Sequence, residues 1–388
     1  MKKFKLSSIN IDGNDISSLL KTIKSGWLAY GEQSKLIENV IKKKFKVKNV
    51  ILCNSCTSGI YASLKALGIK KNDEVLVSSF TFISTINSLF QLGAKIKLVD
   101  INTEDYNICL KDLRKKITKK TKVILPTHYG GNPIDIDNLK KVVNSKKIQI
   151  VEDAATALGS KVGGKYTGAG KNSISVFSLY SNKIISTAEG GIVFCENKKI
   201  AKKIKTLVSM GINRDTFERD KSKKWMYDLE YPGYKFNFTD MQSSLLKGQI
   251  KRLDKIIEYR KLLRNKYMEY LRPSKQNQLL SFTKIKKNHI SSNYIFTILL
   301  NIKNLNISRN DLMNKLTRKG VQTSVHYIPC YKMKFYKKFF YKSKLINTDI
   351  VFNGILSLPF HNKLSIKDVR FISKIINKIL LTNKKKNN

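Results

Sequence analysis

The chain has 388 residues, with 74 Lys or Arg against 28 Asp or Glu, a formal net charge of +46. With 41% hydrophobic residues and 20 Gly it has the composition of a folded protein of two domains or one enlarged α/β domain, which excludes a disordered or collagen-like chain. No apolar run approaches the length of a bilayer span, and the basic start has no apolar stretch behind it, so neither a membrane segment nor a signal peptide is expected.

The lysines are spread over the whole length and Arg is rare beside Lys, whereas nucleic-acid sites concentrate both on one face. Only residues 383–388 form a basic run, so no nucleic-acid partner is expected. A positive protein still attracts anionic metabolites, nucleotide-linked ones included. Five scattered cysteines (Cys53, Cys56, Cys109, Cys195 and Cys330) do not make a disulfide framework and point to a reducing, cytoplasmic setting.

Short β-branched runs predict strands at residues 50–52, 75–77, 96–99, 123–125, 148–151, 175–177 and 191–195. Amphipathic helices are predicted between them at 58–67, 84–92 and 136–143. This alternation predicts βαβ units and a mostly parallel, doubly wound sheet with its ligand beyond the carboxyl ends of the strands. From Thr239 a long helix is predicted to about Tyr270, followed by a break at Arg272-Pro273-Ser274. A strand at 294–300, a helix at 309–319, a strand at 321–327 and a last helix from Ser365 complete the chain. The division expected is a large α/β domain over residues 1–245 and a smaller α+β domain over 246–388.

Several motifs follow the strands directly. Cys53 and Cys56 have CxxC spacing but lack the context of a redox pair and a second ligand pair for zinc, so no metal is expected. The polar turn from Asn54 to Gly59, between a strand and a helix, offers hydroxyls and free N–H groups that suit an anion, although an ordinary N-cap reads the same way. Residues 163–171 are glycine-rich, but Lys165 and Asn172 break the phosphate-loop pattern, leaving a turn-rich connection. Glu152 and Asp153 stand where an apolar strand ends, either as solvated caps of the next helix or as part of a site, where a buried carboxylate could fix a cationic ring nitrogen. Lys183 follows the strand 175–177, flanked by hydroxyls and then by Glu189-Gly190-Gly191, a placement that sets it apart from solvated lysines and suits a Schiff base.

Taken in order, Thr57-Ser58, Phe82, Glu152-Asp153-Ala154-Ala155, Ser178, Lys183 and Glu189-Gly190-Gly191 resemble the DegT/StrS family of sugar aminotransferases, from Ser25-Gly26-Trp27-Leu28 to Ser357-Leu358-Pro359. The resemblance implies the pyridoxal-phosphate (PLP) transferase fold type I, with a mostly parallel seven-stranded sheet and a smaller C-terminal α+β domain. It implies that Lys183 binds PLP covalently and later shuttles a proton, that Asp153 pairs with the pyridine nitrogen, and that Phe82 stacks on the ring. Thr57, Ser58 and Ser178 would bind the phosphate. Thr156 stands where many members have a Gln near the phenolic oxygen, and its shorter hydroxyl would have to donate there. Lys235 and Asn237 lie in a segment that in the family reaches the neighbouring subunit's site, which implies a homodimer. His326 and Tyr327 match a segment lining the sugar-nucleotide site, although His326 reads equally as the cap of a strand end. The implied activity is amino transfer, with L-glutamate as donor, to a keto group of a nucleotide-linked sugar in surface polysaccharide or glycan biosynthesis. Other PLP chemistry such as dehydration, and a catalytically idle regulatory relative, remain open at this point.

Overall fold

The computed structural model describes residues 2–385 apart from 146, 171, 172, 215, 224 and 342. Seven strands form the main sheet: β1 (Val50–Cys53), β2 (Glu74–Ser78), β3 (Lys95–Val99), β4 (Thr121–Leu125), β5 (Gln149–Asp153), β6 (Ser173–Ser178) and β7 (Gly191–Cys195), in the order β1-β7-β6-β5-β4-β2-β3. All are almost wholly buried except β3, whose outer residues are exposed at the sheet's edge, as expected for a sheet with helices on both faces. The seven strands predicted between residues 50 and 195 are all present, and helices Cys56–Ala66, Ile83–Gln91 and Ile136–Val143 occupy the predicted crossovers.

Strand β7 is antiparallel to both β1 and β6, while the remaining pairings are parallel. The amino end of β7 therefore lies at the edge where the other strands end. Gly191 is in register with both Cys53 and Ser178, so three segments meet there: the turn after β1, the loop after β6, and Glu189-Gly190 before β7. A Cβ on Gly191 would sit 2.4 Å from the Ser55 carbonyl oxygen, which is why this strand starts on glycine.

One face of the sheet packs on Cys56–Ala66, Ile83–Gln91 and Lys198–Val208, and the other on Glu32–Phe45 and the long helix Asp240–Tyr270. That helix begins in a capping box, Thr239 with Gln242, and the chain turns at Leu271 into a short helix with Pro273 in its first turn. It spans the expected boundary at 245/246. Leu246, Ile250 and Leu253 join the core of the large sheet, while Leu263 and Tyr267 join a second core around the sheet β8 (Leu280–Phe282), β9 (Phe296–Leu300) and β10 (Ile355–Leu358). Phe4 also lies in the second core, so the chain's start crosses to the C-terminal layer. Helices Arg309–Arg318 and Ile366–Thr382 complete it.

The structure departs from expectation at residues 321–327, which form no strand. Their pairing is divided between a bridge from Val321 to Phe4 and one from Ser324 to Ser357, so no single neighbour supplies a ladder. Strand β9 starts at Phe296, two residues later than predicted, because Tyr294 donates its N–H to Gly130 in the large domain. The glycine-rich connection is a hairpin, 161–162 against 165–166, around Gly163-Gly164; Lys171, Asn172 and residues 386–388 lie outside the described residues. No helix among the described residues is long and apolar enough to cross a membrane.

Replacing Gly191 by alanine is expected to lower stability by about 1–3 kcal/mol, since the neighbouring atom is backbone and cannot rotate away. Urea denaturation measures this, and an unchanged midpoint would show that the close approach relaxes freely.

Candidate active site

A cavity of about 370 Å³ opens at the edge where the strands end, and it collects residues from both domains. Its first wall is the start of helix Cys56–Ala66. Ser55 caps this helix in extended conformation, its Oγ accepting from Ser58 N at 3.0 Å, while Ser58 Oγ donates to Asn54 Oδ1 at 2.6 Å. The Ser58 hydroxyl thus holds the turn and does not border the cavity. Thr57 does, together with Ser178, whose Oγ accepts from Tyr180 N at 3.2 Å. The N–H groups of this helix's first turn lack partners within the helix, so the wall is built for an anion such as a phosphate.

Asp153 forms the floor. It is 4% exposed, its Oδ2 accepting from Thr81 Oγ1 at 3.0 Å and Thr85 Oγ1 at 2.7 Å, its Oδ1 from Ala155 N at 3.2 Å. Thr127 Oγ1 steadies Thr81 in turn at 2.9 Å. No basic side chain of the described residues forms an ion pair with Asp153, so this buried carboxylate fits a cationic group arriving in the cavity. The adjacent Glu152 points to the opposite face, as strand alternation demands, and is matched internally. Its Oε2 lies 2.8 Å from His128 Nε2, and because His128 Nδ1 accepts from Ile134 N, the proton sits on Nε2 and is donated to Glu152. Burial pushes the Glu152 carboxyl up, but the bonds from His128 and Ser175 outweigh it and leave it below its usual range.

Phe82 stands before helix Ile83–Gln91 and is 55% exposed, whereas Phe80 is fully buried. A bare aromatic face on a cavity wall suits a planar ring, and at this exposure Phe82 is no part of the core. Lys183 borders the same cavity. Its Nζ lies 4.4 Å from the centroid of the Tyr294 ring, and it makes no ion pair or hydrogen bond among the described residues.

His326 and Tyr327 enter from the C-terminal domain. The His326 ring is held by Ser357, Nδ1 to Oγ at 2.8 Å, and Tyr129 donates to its carbonyl at 2.5 Å. It caps no strand, since residues 321–327 form none. Burial, and next the positive charge of Lys183, push its imidazole down to about 4. Burial foremost also raises the Tyr327 phenol well above its ordinary range.

Three expectations need revision or qualification. The Thr156 hydroxyl borders the cavity, but it donates to His128 O at 2.9 Å and accepts from Gly131 N at 3.1 Å, so its one proton is not offered to a ligand. Ser58 acts through the turn, as described. Lys235 and Asn237 do not border the cavity of their own chain. Lys235 is exposed, and Asn237 Oδ1 is buried without a hydrogen-bond partner in the segment whose Phe236 O accepts from Asn54 N. Sequence reasoning missed Thr81, Thr85 and Thr127. The i, i+4 spacing of Thr81 and Thr85 across a helix start was the available signal. It also missed Tyr294 and Asn182, for which no local signal exists.

The depressed His326 imidazole yields a direct test. Its folded value lies below that of the unfolded chain, about 6.5, so protonation opposes folding; this contribution is intact above that pH and is lost as pH falls toward about 4. Imidazole ¹⁵N NMR is expected to show a neutral ring at every pH above about 5. A ring that titrates between about 6 and 7 would refute the buried, lysine-facing geometry.

A family model described as the DegT/DnrJ/EryC1/StrS aminotransferase family matches residues 10–377. An uncharacterized protein of Methanocaldococcus jannaschii is 35% identical over 377 residues, covering 96% of this chain and 97% of the relative. The UDP-4-amino-4,6-dideoxy-N-acetyl-beta-L-altrosamine transaminase of Campylobacter jejuni is 32% identical over 374 residues, 96% of each chain. Among solved structures, Helicobacter pylori PseC, an aminotransferase involved in the biosynthesis of pseudoaminic acid, superposes with a TM-score of 0.89 at 25% identity, covering 98% of this chain and 100% of that one. Spr1654 of Streptococcus pneumoniae in its PMP form does so with a TM-score of 0.87 at 26% identity, covering 97% and 98%. The anion-ready helix start, the buried carboxylate, the bare aromatic face and the free lysine are the features that PLP requires, and the chain belongs to the DegT/DnrJ/EryC1/StrS family as a PLP-dependent aminotransferase of fold type I.

Proposed function

We propose that the protein transfers an amino group from L-glutamate to a keto group of a nucleotide-linked sugar, in the supply of surface polysaccharide or glycan precursors. The observation that carries the reading is one cavity bordered by Lys183, the buried Asp153 and the bare ring of Phe82. The end-to-end likeness to a UDP-sugar transaminase supports the substrate class.

Bound PLP supplies an electron sink for the substrate's α-carbon. Lys183 Nζ would bind it and, once released, carry the proton that the exchange moves. Asp153 would hold the proton on the ring nitrogen, with Thr81 and Thr85 keeping the carboxylate aimed. Phe82 would orient the ring, and Thr57 and Ser178 the phosphate. His326, neutral and next to Lys183, would orient a sugar hydroxyl beside Tyr327.

Lys183 and His326 are the only basic side chains bordering the cavity among the described residues, and a dicarboxylate donor needs more positive charge than this. A homodimer in which the segment around Lys235 and Asn237 enters the partner's site would supply it; the exposed ammonium of Lys235 fits that role. Five unpaired thiols fit a cytoplasmic setting.

The test is the visible spectrum of the PLP-loaded protein before and after L-glutamate, beside Lys183→Ala, followed by UDP-linked ketosugars. Glutamate is expected to bleach the band of the lysine-bound cofactor, a ketosugar nucleotide to restore it, and the variant to do neither. A band that glutamate leaves untouched would overturn the donor assignment. Restoration by simple ketoacids but by no ketosugar nucleotide would overturn the acceptor.

A further inference from the structure

Two residues around the lysine have no part in the chemistry above. Tyr294 is 6% exposed and fixed at every polar atom. Its N–H donates to Gly130 O at 3.1 Å, its carbonyl accepts from Arg260 Nη1 at 3.0 Å, and its hydroxyl donates to Asn182 Oδ1 at 3.1 Å. Its ring presents a face to Lys183 Nζ.

Arg260, on the long helix, is 1% exposed and has no carboxylate partner among the described residues. Its donors go to neutral acceptors: Nη1 to the carbonyls of Asn293, Tyr294 and Phe360, and Nε to Asn362 Oδ1 at 2.8 Å. Asn362 also accepts from Asn10 Nδ2 at 3.5 Å, which donates to Ile184 O at 2.9 Å. The guanidinium therefore reaches both chain neighbours of Lys183: Asn182 through Tyr294, and Ile184 through Asn362 and Asn10. A buried cation without a counter-ion is costly to keep, and a stability role alone would be served by an apolar residue.

We propose that Tyr294 is a positioning residue for Lys183: its ring is the seat of the amine whenever Nζ is not bonded to the cofactor, and Arg260 fixes that seat. The inference rests on Lys183 being the cofactor lysine. A protonated Nζ finds no carboxylate within ion-pair distance among the described residues, and the electron-rich ring face is the attractive surface in reach. The ring keeps the released amine beside the cavity and prevents it from swinging toward solvent.

The test compares Tyr294→Phe, which keeps the ring, with Tyr294→Leu, which removes it. In the apoprotein, limited reductive methylation is read by peptide mass spectrometry as labelling of Lys183 relative to the exposed Lys287. Labelling of Lys183 is expected to rise about tenfold in Tyr294→Leu and to stay within about twofold of the parent in Tyr294→Phe. In the loaded enzyme, the leucine variant is expected to slow the glutamate-driven spectral change about tenfold, with the half-saturating donor concentration unchanged and the phenylalanine variant close to the parent. Equal labelling in all three proteins, equal effects of both substitutions, or a change in half-saturation alone would each overturn the proposal. Should Tyr294→Leu not fold, Tyr294→Met removes the ring while filling its space with a flexible apolar side chain; labelling raised about tenfold supports the seat, and unchanged labelling overturns it. Labelling needs neither donor nor sugar, so its failure is separate from failure of the substrate assignment, while Lys183→Ala decides the cofactor lysine independently.

Discussion

The constraint on which this site depends is a carboxylate buried without a cation. Asp153, at 4% exposure, is held by three hydrogen bonds, two of them from Thr81 on the turn after β2 and Thr85 in the helix that follows. That requirement ties the end of β5 to the start of helix Ile83–Gln91, and the same turn thrusts Phe82 outward beside the carboxylate. Glu152 provides an internal control. It shares the strand and the burial, but His128 and Ser175 satisfy it within the protein, and it does not border the cavity at the strand ends. Of the two adjacent carboxylates, Asp153 is the one that borders the cavity at the strand ends and is left for a ligand.

Most of the sheet was legible because its strands are buried on both sides and read as continuous β-branched runs. Lys183 and Asp153 were legible because each follows such a run and breaks it. The threonines around Asp153 were not: a hydroxyl at a strand end is common, and only the fold shows that 81 and 85 converge on 153. Tyr294 was hidden inside an apparent strand, since the residues before β9 are apolar but cross to the large domain instead of joining the ladder. The segment 321–327 failed for a related reason. Its residues suit a strand, but its two ends face different neighbours, and a ladder needs a single one.

Thr156 shows where a resemblance carried residue by residue reaches its limit. The position borders the cavity as the family pattern implies, yet the shorter side chain turns back to His128 O and Gly131 N, where it closes the backbone behind the site. The charge of +46 taught less than its size suggests, because the cavity holds one lysine and a histidine that burial keeps neutral. Surface lysines spread over the whole chain set the long-range field but not the local chemistry.

The long helix joins these pieces. Its first half packs on the sheet and its second half on the C-terminal core, and Arg260 sits where the two meet. From there its bonds run to Tyr294, which borders the cavity, to Phe360, and to Asn362, which reaches the chain beside Lys183 through Asn10. A displacement of the C-terminal layer against the sheet would have to break several of these bonds at once in a place that water does not reach. The lysine, fixed on the large domain, and His326, carried by the small one, are therefore kept facing each other by a buried cation that touches neither.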